Sequence, residues 1–101
     1  MEVIIEQLEE QMIVTLKGDL DTAVSMEVEK KMEPVFNCFD SDLIIDCAEL
    51  TYISSSGLRI LLTIYKHMHE IGRQATLRHL SEDVSDVLTI GGVLQLFQVE
   101  P

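Results

Sequence analysis

Basic residues are scarce in this chain: seven lysines and arginines stand against eighteen acids in 101 residues, a formal net charge of -11. Nucleic-acid binding relies on a basic stripe that displaces counterions, and none is present. Anionic membrane surfaces are disfavoured for the same reason. Tryptophan is absent and aromatics reach only 5%, while hydrophobic residues make up 47%. The core must therefore be built from Ile, Leu, Val and Met. The two cysteines, Cys38 and Cys47, are too few for a disulfide framework and lack metal-ligand spacing. Cys47, at the end of an apolar strand, reads as a small packing residue. No apolar run approaches the length of a membrane span. Met1-Glu2-Val3-Ile4-Ile5-Glu6 has no basic segment leading into an apolar core, so it does not read as a signal peptide. These absences point to a cytoplasmic protein with reduced thiols and no membrane insertion. The length fits a single domain over 1–101.

The charge is uneven. Residues 1–50 carry thirteen acids against three lysines, and residues 51–101 carry five against four basic residues. The simplest meaning of the acidic half is a solvated surface, and the sharper one a basic partner steered by it.

Periodicity divides the chain into short elements. Glu2–Gln7 and Gln11–Lys17 read as a hairpin, with Met12, Val14 and Leu16 alternating against Ile13 and Thr15. Gly18-Asp19-Leu20-Asp21 reads as a loop, and Asp21 or Thr22 can cap a helix whose apolar positions Val24, Val28 and Met32 recur every four residues. Pro34 weakens regular helix there, leaving Val35 and Phe36 as a short extension. Leu43–Cys47 reads as a buried strand and Ala48–Ser54 as a loop. A helix opening near Ser55 or Ser56 follows, with Leu58, Leu61, Leu62 and Tyr65 as its apolar stripe, widened by Ile60, Ile64, Met68 and Ile71. Gly72 ends it. Gln74–Arg78 is a strand with Ala75 and Leu77 inward, Ser81 caps a last helix stopped by Gly91-Gly92, and Leu96–Val99 is a final strand. The order β-β-α-β-α-β-α-β predicts an α/β domain, a mixed sheet covered by helices.

Catalytic constellations fail one by one. Ser56 at a strand-to-helix turn lacks the G-x-S-x-G of a nucleophile elbow. His67 and His69, late in a helix, point away from it, and nothing identifies His79 as a base. Gly91-Gly92 has no following Lys-Ser/Thr of a phosphate loop. An enzyme is not indicated, and no cofactor is implied. What remains is Ser54-Ser55-Ser56-Gly57 at a helix start, where serine caps free N–H groups and the local field favours an anion such as a phosphoserine.

The run Asp46-Cys47-Ala48-Glu49-Leu50-Thr51-Tyr52-Ile53-Ser54-Ser55-Ser56-Gly57-Leu58-Arg59 resembles the signature of STAS domains, the bacterial anti-sigma factor antagonists. Gly18-Asp19-Leu20-Asp21 and Ile90-Gly91-Gly92-Val93-Leu94-Gln95-Leu96-Phe97 agree with it, so the resemblance spans nearly the whole chain. It implies binding to an anti-sigma factor that is also a serine kinase. Phosphorylation of the serine before the motif glycine, Ser56 here, breaks the complex, and a serine phosphatase restores it. ATP would belong to the kinase. The resemblance also gives Asp21 a part in partner binding. The expected partner surface is Asp19, Asp21, Ser54, Ser55, Ser56, Gly57 and Arg59, with Asp21 and Asp46 adding repulsion to a phosphate if they lie nearby. Ser54 departs from the family's usual aspartate at that position, which bears on kinase recognition. A non-switching STAS scaffold subunit of a transporter or stress-signalling complex is the alternative.

Overall fold

Met12, Val14 and Leu16 are buried, while the residues between them are only half covered, as one-sided burial of a strand requires. A computed structural model describes residues 1–101. The chain runs through β1 (Glu2–Leu8), β2 (Gln11–Leu20), α1 (Thr22–Lys31), α2 (Glu33–Phe36), β3 (Asp42–Ile53), α3 (Ser55–Glu70), β4 (Ala75–Arg78), α4 (Glu82–Ile90) and β5 (Gln98–Glu100). The five strands lie in the order β1-β2-β3-β4-β5. β1 pairs antiparallel with β2, and every later pairing is parallel. Parallel crossovers are right-handed, and here each advances one place in the same direction, which sends the helices to one face. Leu43, Ile45, Cys47, Ala75 and Leu77 project into that core with Val28, Met32, Ile60, Leu61, Ile64, Val84 and Leu88 from the helices. Ile44 and Thr76, also buried, lie outside this cluster, as alternation demands.

The helix starts follow local chemistry. Asp21 accepts from the Val24 amide at 3.1 Å, Ser54 from the Gly57 amide at 3.2 Å, and Ser81 from the Val84 amide at 3.2 Å. Pro34 occupies the first turn of α2, where its missing N–H costs nothing.

Two strand ends, the buried face of α3 and the start of the last strand differ from the sequence reading. Gly18–Leu20 and Ala48–Ile53 are strand rather than loop, because β2 and β3 continue to pair as far as Leu20↔Ile53. From Thr15↔Asp46 to Lys17↔Glu49, and again from Gly18↔Leu50 to Asp19↔Tyr52, β3 advances one residue more than β2. Two such bulges break the period of two, so inward positions fall at Cys47, Leu50 and Ile53. On α3 the fully buried line is Gly57, Ile60, Leu61, Ile64 and Met68, whereas Leu58, Leu62 and Tyr65 flank it. At the end of the chain the strand expected at Leu96–Val99 starts only at Gln98, because Leu94–Leu96 form a 3₁₀ turn with Val93 and Phe97 buried on either side of it.

Gly57 is the tightest point of the fold. A methyl group there would meet Ile53 Cγ1 at 2.7 Å and Leu20 Cγ at 2.8 Å. Gly57→Ala should gain up to about 1 kcal/mol of helix propensity but lose about 1–3 kcal/mol to overpacking. Urea unfolding should show a net loss of stability; a variant as stable as wild type would mean that the seat has room for a methyl group.

Candidate functional site

The carboxyl ends of β2 and β3 deliver the starts of α1 and α3 to the same edge of the molecule. Leu20 and Ile53 pair as the last residues of their strands, and the Ser54 amide donates to the Leu20 carbonyl at 2.9 Å. Ser54 is buried, and its hydroxyl is committed to the cap of α3. It therefore does the structural work open to an aspartate at a cap. Ser55, in the first turn, is exposed; Ser56 is half-buried, and Gly57 lies beneath them on the core side. On the neighbouring strand end, Asp19 is exposed and accepts from the Thr51 hydroxyl, which ties it to β3. Asp21 caps α1 with one carboxylate oxygen and is half-buried.

Ser56 opens into a cleft of about 250 Å³ between α1 and α3, walled by Thr22, Ser25 and Glu29 on one side and Arg59 and Ile60 on the other. A wider cleft of about 480 Å³, reaching Glu33, Phe36 and Thr63, shares Met26 and Glu29 with it, so the two form one groove along α1. Met26 projects from that groove 74% exposed. Sequence reasoning placed Ser56 and Arg59 in the site but not Ser25, Met26 or Glu29, and it offered Thr22 only as a helix cap. The only available signal was Met26, an apolar residue off the Val24–Val28–Met32 stripe.

No histidine lines the Ser56 cleft. His67 Nε2 is 2.9 Å from the Cys38 carbonyl, His69 stacks on Tyr65, and His79 Nδ1 is 3.3 Å from Asp46 Oδ1. Asp46 is engaged elsewhere. Its carboxylate receives Arg78 Nη2 at 3.0 Å and the Ala48 amide at 3.0 Å, fastening β3 to β4. Its negative charge is thus paired within the sheet rather than standing free beside Ser56. Burial pushes this carboxyl up, but the hydrogen bonds from Ala48, Arg78 and His79 and the charge of Arg78 outweigh it, leaving Asp46 below its ordinary value of 3.8. The neighbouring Cys47 thiol is pushed up to about 12 by burial, with a smaller contribution from the charge of Asp46.

Two measurements follow from this geometry. A folded-state pKa below the unfolded one stabilises the fold fully above the ordinary carboxylate range, and that contribution is lost as pH falls through the lower folded value. Urea midpoints taken from about pH 5 to about pH 3 should therefore drop more for wild type than for Asp46→Asn, and parallel curves would remove the role assigned to the pair. Since the thiolate is the reactive form, native protein should offer Ellman's reagent only the half-buried Cys38, and both thiols in urea. Two fast-reacting thiols in native protein would contradict the burial of Cys47.

Comparison with known proteins gives a consistent result. The family model of the STAS domain matches residues 2–101. A candidate anti-sigma factor antagonist, BtrV of Bordetella bronchiseptica, is 26% identical over 98% of this chain and 85% of its own length. The anti-sigma factor antagonist SpoIIAA in its unphosphorylated form superposes with a TM-score of 0.81 at 18% identity, over 97% of this chain and 87% of that one. The same Bacillus cell fate determinant in its phosphorylated form gives 0.73 at 17% identity, over 97% and 90%. Part of the murine anion transporter Slc26a9 gives 0.80 at 22% identity, covering 95% of this chain and 17% of the transporter.

Proposed function

The chain belongs to the STAS domain family, and on that premise we propose that it is an anti-sigma factor antagonist that binds an anti-sigma factor with serine kinase activity and is released by phosphorylation of Ser56. The binding surface is the edge formed by Asp19, Asp21 and Ser54–Arg59, continued by the groove along α1. The protein works by occupying a partner, and ATP is held by the kinase. A serine phosphatase resets it, and the exchange takes place in the cytoplasm of a bacterium, where it governs transcription.

The observation that carries this reading is the half-exposure of Ser56 at the first turn of α3, between a buried capping serine and a surface cleft. A kinase can reach such a hydroxyl without unfolding the domain. The names of the relatives support the same class, and one of them is known in both unphosphorylated and phosphorylated forms.

The energetics suit a switch. A phosphate on Ser56 adds about -1.5 to -2 charge. The N-terminus of α3 offsets about 0.3–1 kcal/mol of its local cost, so the domain keeps its fold. A protein docked over the same serine must bury that charge without a matching cation, which is costly. A thousandfold loss of affinity corresponds to only about 4 kcal/mol.

The likeness to part of an anion transporter favours one alternative, a STAS scaffold subunit in which Ser56 remains unmodified. Incubation with candidate kinases and ATP, followed by mass spectrometry, separates the two. The switching reading expects phosphate on Ser56, none on Ser56→Ala, and persistent binding by Ser56→Ala. Ser56→Asp should bind at least about 100-fold more weakly, a difference of about 2.7 kcal/mol. Equal affinity of Ser56→Asp and wild type would rule out electrostatic release.

A further inference from the structure

Arg59 stands one helical turn after Ser56, in the same line along α3, and both side chains line the cleft between α1 and α3. Residues three apart on a helix are neighbours, with their Cβ atoms about 5–6 Å apart. Of the four basic residues in 51–101, Arg73 and Arg78 are held by Asp42 and Asp46. Arg59 and Lys66, by contrast, are exposed and form no ion pair, and of the two only Arg59 lines the cleft. The Arg59 backbone is fixed within α3, with its carbonyl accepting from the Thr63 hydroxyl at 2.9 Å. A guanidinium without an acidic partner thus shares a cleft with the one hydroxyl assigned to modification.

We infer that Arg59 is the intrachain counter-charge of phosphorylated Ser56, folding back over the first turn of α3 to hold the phosphoryl oxygens in the α1–α3 cleft. The inference rests on the proposed modification of Ser56 and adds a second action to it. Arginine matches phosphate oxygens with a planar fork of donors. In the unmodified protein Arg59 is free to meet an acidic group on the docked partner; once the phosphate is present, the same side chain is drawn inward. Release then combines a new negative charge with the withdrawal of a positive one. The other groups at this edge are acidic. Glu29 faces the cleft from α1, while Asp21 caps α1 and Asp19 lies at the end of β2. Arg59 is therefore the only cation lining the part of the groove that Ser56 opens into, where Glu29 opposes it; Lys30 lines the wider part further along α1.

The test needs no kinase. Full-length protein carrying phosphoserine installed at position 56 during translation is titrated by ³¹P NMR, beside the same protein with Arg59→Gln and with Glu29→Gln. A paired arginine favours the dianion, so the second phosphate ionisation, ordinarily near pH ~6, should rise by about half a pH unit in Arg59→Gln. Glu29→Gln should move it the opposite way. The Arg59 Nε–H resonance should also shift between unmodified and phosphorylated protein. Coincident phosphate titrations of wild type and Arg59→Gln, with an unmoved Nε–H signal, would overturn the inference. A phosphoserine protein that still binds the kinase would instead overturn the release mechanism, and would do so without altering the NMR result.

Discussion

The first turn of α3 rests directly on the ends of two strands, and most of the molecule follows from that contact. Leu20 and Ile53 close β2 and β3 side by side, and Gly57 lies against both with no room for a side chain. The Ser54 amide reaches the Leu20 carbonyl and its hydroxyl takes the Gly57 amide, so strand ends and helix start form one hydrogen-bonded unit. Anything larger than hydrogen at position 57 would collide with the Ile53 and Leu20 side chains, so the seat would have to shift to admit it. The same contact turns Gly57 inward and leaves Ser55 and Ser56 facing out.

Such a seat gives neighbouring serines different surroundings. Ser54 is buried and committed to the cap, so its hydroxyl belongs to the fold. Ser56 is half-buried, contributes no side-chain hydrogen bond to the cap, and opens onto a cleft. A charge added at Ser56 therefore falls on a surface where the helix terminus partly tolerates it. Asp46, at the other end of the signature run, belongs to a different unit. It ties β3 to β4 through Arg78 and His79, and its charge is satisfied there.

Much of the architecture was legible because its signals are local. Asp21, Ser54 and Ser81 are capping residues at the right offsets, and Val28, Met32, Val84 and Leu88 repeat at helical spacing. The misread stretch, Ala48–Ile53, failed for a physical reason. Bulges on β3 replace alternation with inward positions at Cys47, Leu50 and Ile53, and exposed Ala48, Glu49, Thr51 and Tyr52 then look like loop. A bulge depends on the partner strand, which lies some thirty residues away. The stripe on α3 was displaced for a similar reason: its broad apolar surface permits several faces, and only the close approach at Gly57 selects the one that turns inward.

By itself the sequence determined the class of protein: an acidic, aliphatic α/β chain with capped helices and a serine cluster at one helix start. Those properties are carried by residue type and short spacing, which need no knowledge of distant partners. The tertiary structure alone decided what surrounds that serine. Packing α1 beside α3 brings Thr22, Ser25 and Glu29 across from Ser56 and Arg59, and pairing β3 with β4 draws Asp46 onto Arg78. Both outcomes depend on segments about thirty residues apart meeting in space, and no local pattern encodes such a meeting.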